Sequence, residues 1–216
     1  MHITAIIPCK NRLGHLKKGL PTVLNQIIPD WVDLDIVVVD YGCTEGTEEY
    51  TNQFKDVMCL SVPNKPWNLS AARNAWPRIA VPSEGAYLFL DADNLLSPYF
   101  IAENIKKLED GTFVTGWGAG ATGTMLCYAR DFHAADGYNE LCEGWGMDDI
   151  HMYWKFEKLY SMERRTFLPG TIACVPHGDE VRQMFHAENK EVTNARNAEL
   201  RHWKGLSEKI TDITWL

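Results

Sequence analysis

The run Ala86-Tyr87-Leu88-Phe89-Leu90-Asp91-Ala92-Asp93 is apolar for five residues and ends in two acids on either side of an alanine. A continuous apolar run of this length is typical of a strand that is buried on both faces, as in a parallel sheet covered by helices. Similar runs precede it at residues 3–8, 36–39 and 57–62, and apolar residues at helical spacing separate the first two of them. This alternation predicts an α/β fold with a mainly parallel sheet.

Local signals predict the helices and loops. A Thr/Glu-rich segment at residues 44–54 predicts a helix, and Ser70 predicts the cap of the next one. Five glycines between residues 111 and 123 predict loops and close approaches of the backbone. A later predicted helix carries one apolar stripe, made of Met147, Ile150, Tyr153 and Trp154. After Pro169 we expect only short strands, loops and a polar tail.

Length and composition limit the class of protein. At about 150 residues per domain, 216 residues predict one domain. Hydrophobic residues make up 45% and charged residues 23%, which excludes a disordered, collagen-like or coiled-coil chain. The net charge of −8 argues against nucleic acid or anionic lipid as a partner of the whole surface. An anionic substrate would therefore need a local cation to bind it.

The sequence also predicts where the protein works. It contains no apolar run of the ~18 residues that a membrane span needs, and its first residues lack the basic and apolar regions of a secretory signal. None of the six cysteines forms a Cys-x-x-Cys pair, which argues against a zinc knuckle. We expect a cytoplasmic protein with reduced and mostly buried thiols.

Candidate binding residues come directly after the predicted strands, at residues 8–12, 40–43 and 91–94. In parallel sheets, ligands bind beyond the carboxyl ends of the strands. Asp91 and Asp93 can together bind a divalent cation, or one can bind the cation and the other a ribose hydroxyl. Acidic turn residues are common, so the pair alone is a weak signal that gains weight from its position.

Four stretches, in this order along the chain, resemble known enzymes. The first is Ile6-Ile7-Pro8-Cys9-Lys10-Asn11-Arg12 with His15-Leu16, the second Val37-Val38-Val39-Asp40-Tyr41-Gly42-Cys43, the third Ala71-Ala72-Arg73-Asn74 followed by residues 88–93, and the fourth Gly144-Trp145-Gly146-Met147-Asp148-Asp149-Ile150. The first and fourth resemble the Pro-Phe-Arg-Asn-Arg and Gly-Trp-Gly-x-Glu-Asp-Asp of β-1,4-galactosyltransferases. The second and third are similar to the Val-Asp-Asp-Gly-Ser, Ala-Arg-Asn and Asp-x-Asp of family 2 glycosyltransferases. Both groups have the GT-A fold.

The resemblance implies one GT-A domain over residues 1–216, with a mixed, mainly parallel sheet flanked by helices. Residues 1–110 would form the nucleotide-sugar half and residues 111–216 the acceptor half. The implied reaction is an inverting, metal-dependent transfer of a sugar from a UDP-sugar, such as UDP-Gal, UDP-GalNAc or UDP-Glc, to a hydroxyl of a glycan or glycoconjugate.

The resemblance also implies roles for single residues. Asp149 would be the general base and Asp148 an acid that binds the acceptor, together with Trp145 and Gly146. The implied contacts of the nucleotide sugar are Pro8, Asn11, Arg12, Asp40, Arg73, Asn74, Asp91, Ala92 and Asp93. Asp93 and a late histidine would bind Mn²⁺ or Mg²⁺. His186, with Asn189-Lys190 behind it, resembles that histidine, and His177 is the alternative. An imidazole ligand favours Mn²⁺ over Ca²⁺.

Departures from the family patterns leave alternatives open. Tyr41 replaces an acid, Met147 a glycine and Asp148 a glutamate, and there is no Gln-x-x-Arg-Trp of a processive polymerase. Two acids at a helix start can also serve only to complement the helix dipole. A nucleotidyltransferase would need a glycine-rich, basic phosphate loop after the first strand, and residues 8–14 hold one glycine. A non-catalytic sugar-binding relative would tend to lose Asp93 or Asp149.

Overall fold

The computed structural model describes residues 1–62, 66–80, 85–118, 121–178, 188–200 and 203–206. Its strands are β1 (His2–Cys9), β2 (Asp33–Asp40), β3 (Val57–Ser61), β4 (Ala86–Phe89), β5 (Asn94–Leu96), β6 (Thr112–Thr115), β7 (Met125–Tyr128), β8 (Glu163–Thr166) and β9 (Ile172–Cys174). Seven of them form one sheet in the order β3-β2-β1-β4-β7-β6-β8, and β5 pairs with β9 in a second, small sheet.

The helices cover this sheet. They are α1 (Leu13–Leu24), α2 (Thr47–Thr51), α3 (Leu69–Ile79), α4 (Phe100–Asn104), α5 (Ala129–Ala134), α6 (Asp148–Trp154) and α7 (Lys190–Ala198). A 3₁₀ turn at Ile105–Lys107 follows α4, and a π-helical turn at Lys155–Leu159 follows α6. Among the described helices, none has the length and apolar character to cross a membrane.

The sheet is mixed and mainly parallel, as predicted. β1 pairs in parallel with β2 and β4, β2 with β3, and β6 with β8, whereas β7 runs antiparallel to both β4 and β6. The first four strands therefore end at one edge of the sheet. The chain segments that leave β1, β2 and β4 meet there, as the sequence predicted for residues 8–12, 40–43 and 91–94.

Side chains of β1 supply both faces of the core. Ile3, Ala5 and Ile7 belong to one buried apolar cluster, and Ile6 belongs to the other. Alternate residues of a strand point to opposite faces, so β1 joins the two layers of helices. This burial on both faces explains why the strand is apolar along its whole length.

The small sheet fixes a later part of the chain beside the end of β4. β5 and β9 are antiparallel, with Asn94 opposite Cys174. One residue beyond β9, the Val175 amide donates to the Asp93 carbonyl at 2.8 Å. Residues 175–178 are thereby held next to the acids that follow β4.

Three local predictions differ from the structure. Asn68, not Ser70, caps α3, because the Asn68 side chain accepts from the Ala71 amide, while Ser70 lies inside the helix. The helix predicted at residues 44–54 is confined to Thr47–Thr51, since Gly46 begins it in a left-handed conformation. In α6 the buried side chains include Met152 and Tyr153, so the predicted stripe is wrong for Ile150 and Trp154, which are exposed.

The largest difference is helix α7, where the sequence predicted loop and polar tail. Its nine residues contain few apolar side chains, and its buried positions are the polar Thr193 and Asn197. An apolar stripe is therefore missing, and the periodicity that predicts amphipathic helices gives no signal. The available signal was Asn189, whose side chain caps the helix by accepting from the Glu191 amide.

Candidate active site

A cleft of about 560 Å³ opens at the carboxyl ends of β1 and β4. Its volume lies within the range of small-molecule sites. The predicted site residues that line it are Pro8, Arg12, Arg73, Asp91, Ala92, Asp93, Trp145, Gly146, Asp148, Asp149 and His177. Residues from both halves of the chain thus meet at one cavity.

Arg73 joins three carboxylates at the wall of this cleft. Its Nη1 donates to Asp148 at 2.9 Å and also to Asp149, and its Nη2 donates to Asp91 at 3.0 Å. The same Nη2 donates to the carbonyl of Gly123 at 3.0 Å. The guanidinium is completely buried, and a buried charge needs this kind of pairing to be tolerated. Its partners are carboxylates and a carbonyl, and the contact of Arg73 with the donor stays a prediction.

Gly123 lies against this cluster and is one of the close backbone approaches that the glycine-rich segment predicted. A Cβ atom at this position would lie 2.6 Å from Arg73 Nη2 and 3.1 Å from an Asp91 oxygen. A larger residue would therefore force the cluster apart. The carbonyl acceptor for Arg73 depends on this close approach of the backbone.

Asp149 has the electrostatics of a proton acceptor. Burial raises the pKa of its carboxyl to about 8, against the lowering effect of Arg73, and the like charges of Asp148 and Asp91 add to the increase. Its side chain is still about 20% exposed. A catalytic base works best with a pKa near the working pH, so the carboxyl is suited to exchange a proton near neutrality.

The turn before α6 gives Asp148 and Asp149 their position at the helix start. Gly144, Gly146 and Met147 all have positive φ, at 78°, 96° and 72°. Glycine adopts such values freely, whereas Met147 does so against its side-chain sterics. The turn exposes Trp145 to the cleft and starts α6 with its two acids.

Helix α7 holds this turn through side-chain bonds to the backbone. Thr193 Oγ1 accepts from the Trp145 amide at 3.1 Å and donates to the Trp145 carbonyl at 2.9 Å. Asn197 Nδ2 donates to the carbonyls of Glu143 and Gly146, both at 3.0 Å. The sequence did not reveal these positioning residues, because it did not reveal their helix.

A second polar pair lies where β4 ends. His177 Nε2 is 2.6 Å from Asp93 Oδ2, and both side chains are only 6% exposed. Arg12 Nη1 is 3.8 Å from the same carboxylate oxygen. The His15 ring contacts His177 edge-on, with the ring centroids 5.4 Å apart. The other predicted ligand, His186, lies outside the described residues.

The Asp93–His177 pair fits a divalent transition ion. One carboxylate oxygen and one imidazole nitrogen form a ligand set that such ions accept, Mn²⁺ included. In the part of the chain that the structure describes, no group of three His, Cys, Asp or Glu side chains is arranged to hold a metal. Within the described residues, an ion bound to this pair would therefore have two protein ligands of these types.

Three predicted donor contacts do not line the cleft. Asn74 is fully buried; its amide donates to the Tyr138 carbonyl and to Glu140, and its oxygen accepts from the Tyr138 amide. Its amide nitrogen thus has both of its donor positions filled, and it fixes residues 138–140 against α3. Asp40 accepts from the Cys43 amide at 2.7 Å, and Asn11 from the Thr44 amide at 2.7 Å. The Asp40 carboxylate and the Asn11 side-chain carbonyl thus fix the loop that follows β2.

Lys10, which falls within the predicted residues 8–12, and Trp67 are two further cleft residues. Lys10 lines the cleft and donates to the Gly42 carbonyl at 2.8 Å. Trp67 also lines the cleft and contacts Tyr41 edge-on.

Comparisons with known proteins agree with this architecture. Residues 4–165 match the model of glycosyl transferase family 2. Among curated proteins, none matches the sequence.

Solved structures with the same fold include three with bound nucleotides or sugars. Staphylococcus aureus TarS in complex with UDP has a TM-score of 0.67 at 12% identity, over 89% of this chain and 68% of that one. A Pyrobaculum calidifontis mannosyltransferase in complex with GDP-Man and Mn²⁺ has a TM-score of 0.65 at 19% identity, over 81% of this chain and 57% of that one. A mutant of Drosophila β1,4-galactosyltransferase 7 in complex with manganese, UDP-Gal and xylobiose has a TM-score of 0.66 at 15% identity, over 96% of this chain and 83% of that one. At these identities the likeness establishes the GT-A fold.

Proposed function

Because this chain belongs to glycosyl transferase family 2, we propose that it transfers a hexose from a UDP-sugar, such as UDP-Gal, UDP-GalNAc or UDP-Glc, to a hydroxyl of a glycan or glycoconjugate. The observation that carries this proposal is the cluster of Asp91, Asp148 and Asp149 around Arg73 at the cleft wall. It combines a carboxyl of raised pKa with fixed hydrogen-bonding acids in one cavity of suitable size.

Asp149 acts as the general base. Its carboxylate accepts the proton of the attacking hydroxyl, which makes that oxygen a better nucleophile. Asp148 accepts a hydrogen bond from a second hydroxyl of the acceptor, and Trp145 offers an apolar ring face to the sugar. One displacement by the activated hydroxyl, opposite the leaving diphosphate, inverts the anomeric centre.

Arg73 is a positioning residue in this mechanism. It bonds to both acids of the α6 start and to Asp91, so it fixes their distance and orientation. Three carboxylates facing one guanidinium leave an excess of negative charge. That excess helps to raise the pKa of Asp149, so that its carboxylate takes up a proton readily, and it favours the approach of a cation to the cleft.

The donor is bound by residues at the strand ends. Lys10 and Arg12 line the cleft and give the diphosphate the local cations that a protein of net charge −8 needs. Asp93 and His177 are the residues that would hold Mn²⁺. When bound, the ion supplies positive charge against the departing diphosphate. Uridine is favoured because two of the three structural relatives described above bind UDP or UDP-Gal.

A donor panel tests the proposal directly. The protein is incubated with UDP- and GDP-sugars and Mn²⁺, and released nucleotide is measured with and without added glycans. We expect UDP release from one UDP-hexose, stimulated by an acceptor. Release of pyrophosphate from a sugar phosphate and a nucleoside triphosphate would identify a nucleotidyltransferase. Binding of a nucleotide sugar without turnover would identify a non-catalytic relative.

A further inference from the structure

Two cysteines meet at the edge of the sheet where the donor is proposed to bind. Cys9 is the last residue of β1, and Cys43 follows β2 by three residues. The register of the two strands sets Cys9 opposite Asp40. Both cysteines pack in the same apolar cluster, so their side chains lie on the same face of the sheet.

The contacts bring the two thiols together. Cys43 Sγ donates to the Cys9 carbonyl at 3.2 Å, so the Cys43 thiol lies directly against residue 9. Thr47 Oγ1 lies 3.8 Å from Cys9 Sγ. The Asn11 amide donates to Cys43 Sγ at 3.3 Å. A disulfide needs two cysteines whose backbones and Cβ atoms are neighbours, and the contact above places the Cys43 thiol beside the Cys9 backbone.

The two thiols differ in reactivity. Hydrogen bonds from Cys9, Thr47 and the Asn11 amide lower the pKa of Cys43, although burial opposes them. The hydrogen bond to Cys43 and burial both raise the pKa of Cys9. Cys43 is also partly exposed, whereas Cys9 is buried. Thiolates are the attacking species, so Cys43 is the first thiol to react and Cys9 the second.

Three other cysteines lack this combination. Cys59 is partly exposed like Cys43, but burial raises its pKa to about 11. Burial likewise raises the pKa of Cys142 to about 12 and that of Cys127 well above its usual value. Cys59 is therefore a matched control of similar exposure and low reactivity.

We propose that Cys9 and Cys43 are a redox-active dithiol that closes to an intrachain disulfide by exchange with a small disulfide such as glutathione disulfide. The Cys43 thiolate attacks the small disulfide, forms a mixed disulfide and releases one glutathione thiolate. Cys9 loses its proton to solvent and attacks the Cys43 sulfur, and the second glutathione leaves as thiolate. Two protein thiols are oxidised, one disulfide is reduced, and glutathione reverses both steps.

Closure of this bond alters the donor edge of the cleft. A disulfide holds its two sulfurs about 2 Å apart, closer than two separate thiols can approach. Cys43 moves with its amide, which bonds to Asp40, and with the next residue, Thr44, which bonds to Asn11. Pro8 and Lys10 flank Cys9 and line the cleft. Because the proposed function places the donor at this edge, we also expect oxidation to weaken the binding of UDP by about fivefold or more.

Peptide mapping tests the dithiol without any assay of transfer. The folded full chain is treated with glutathione disulfide, remaining thiols are alkylated, and disulfide-linked peptides are identified by mass spectrometry. We expect a Cys9–Cys43 link in the wild type and in Cys59→Ser. Cys9→Ser accumulates glutathione on Cys43, and Cys43→Ser leaves Cys9 unmodified. Oxidation confined to other cysteines, or no link between 9 and 43, overturns the proposal.

UDP titration tests the consequence. Calorimetry with Mn²⁺ compares reduced and oxidised wild type, with Cys59→Ser as control. Weaker binding after oxidation, restored by glutathione, supports the effect on the donor edge. Equal affinity in both forms overturns that effect. A reduced protein that binds no UDP contradicts the proposed function, and the disulfide is then judged by the mass spectrum alone.

Discussion

Replacing Arg73 by methionine tests the carboxylate cluster on which the proposed site depends. The guanidinium makes four hydrogen bonds through two nitrogens, three of them to carboxylates. Bonds to charged groups contribute ~1.5–3 kcal/mol each, so the gross loss is roughly 6–12 kcal/mol. Methionine no longer buries a charge, which offsets several kcal/mol. We expect a net loss of ~3–5 kcal/mol in the free energy of unfolding.

Urea denaturation measures this loss. With a slope of about 2 kcal/mol per molar, the midpoint falls by roughly 1.5–2.5 M. The control is Arg165→Met, which removes ion pairs to Glu109 and Glu163 at the protein surface. Surface pairs contribute less than ~1 kcal/mol, so this midpoint hardly moves.

The pH dependence separates the cluster from simple loss of packing. Without Arg73, nothing opposes the effect of burial and like charges on Asp149, and its folded-state pKa rises beyond about 8. Above about pH 8 the folded variant still holds a proton that the unfolded chain releases. Its free energy of unfolding therefore keeps falling as the pH increases towards the folded-state pKa of Asp149. The loss relative to wild type is therefore larger at pH 9 than at pH 6. A pH-independent loss, or one below ~1 kcal/mol, refutes the charge cluster.

Three further predictions concern the reaction and its ligands. The kcat/KM for transfer rises with pH through about 8 as Asp149 loses its proton; a rise centred near pH 4 would contradict the role of burial. His177→Ala weakens Mn²⁺-dependent UDP binding in calorimetry by at least about tenfold, and more than His186→Ala; the reverse order would make His186 the ligand. Thr193→Val raises the KM for the acceptor by about fivefold, which corresponds to ~1 kcal/mol, and leaves donor hydrolysis unchanged. The control is Val192→Ala at an exposed position of the same helix. An unchanged KM would leave α7 with no role in the site.

The parallel half of the sheet could be predicted because its strands are buried on both faces. Such burial demands an unbroken apolar run, and the positions after each run then define the ligand edge. Asp91, Asp93, Asp148 and Asp149 were predicted as site residues on that basis and from the family motifs, and all four line one cleft.

The partners of the polar residues could not be predicted in the same way. Arg73 and Asn74 are neighbours in the sequence, yet one faces carboxylates in the cleft and the other bonds to residues 138–140. Helix positions one residue apart differ by about 100° in direction, so a shared motif does not mean a shared site. Likewise, His177 reaches Asp93 only through the pairing of β5 with β9, a long-range contact that spacing does not encode.

Helix α7 shows a second limit. Its function in the fold is carried by polar side chains that bond to the backbone of the turn before α6. Sequence patterns predict buried helix faces from apolar residues. A helix whose buried residues are threonine and asparagine is therefore not predicted by them. The division into a donor half at residues 1–110 and an acceptor half at 111–216, and the cytoplasmic location, stay predictions from the sequence.

The most direct test of the proposed mechanism is the transfer rate of Asp149→Asn at saturating donor and acceptor. Asparagine keeps the shape and still accepts a hydrogen bond from Arg73, so we expect the fold and UDP binding to be retained. Without a proton acceptor, we expect transfer to fall by ~10²–10⁴-fold, the usual contribution of a positioned base. Transfer near the wild-type rate, with UDP binding intact, would contradict the assignment of Asp149 as the base.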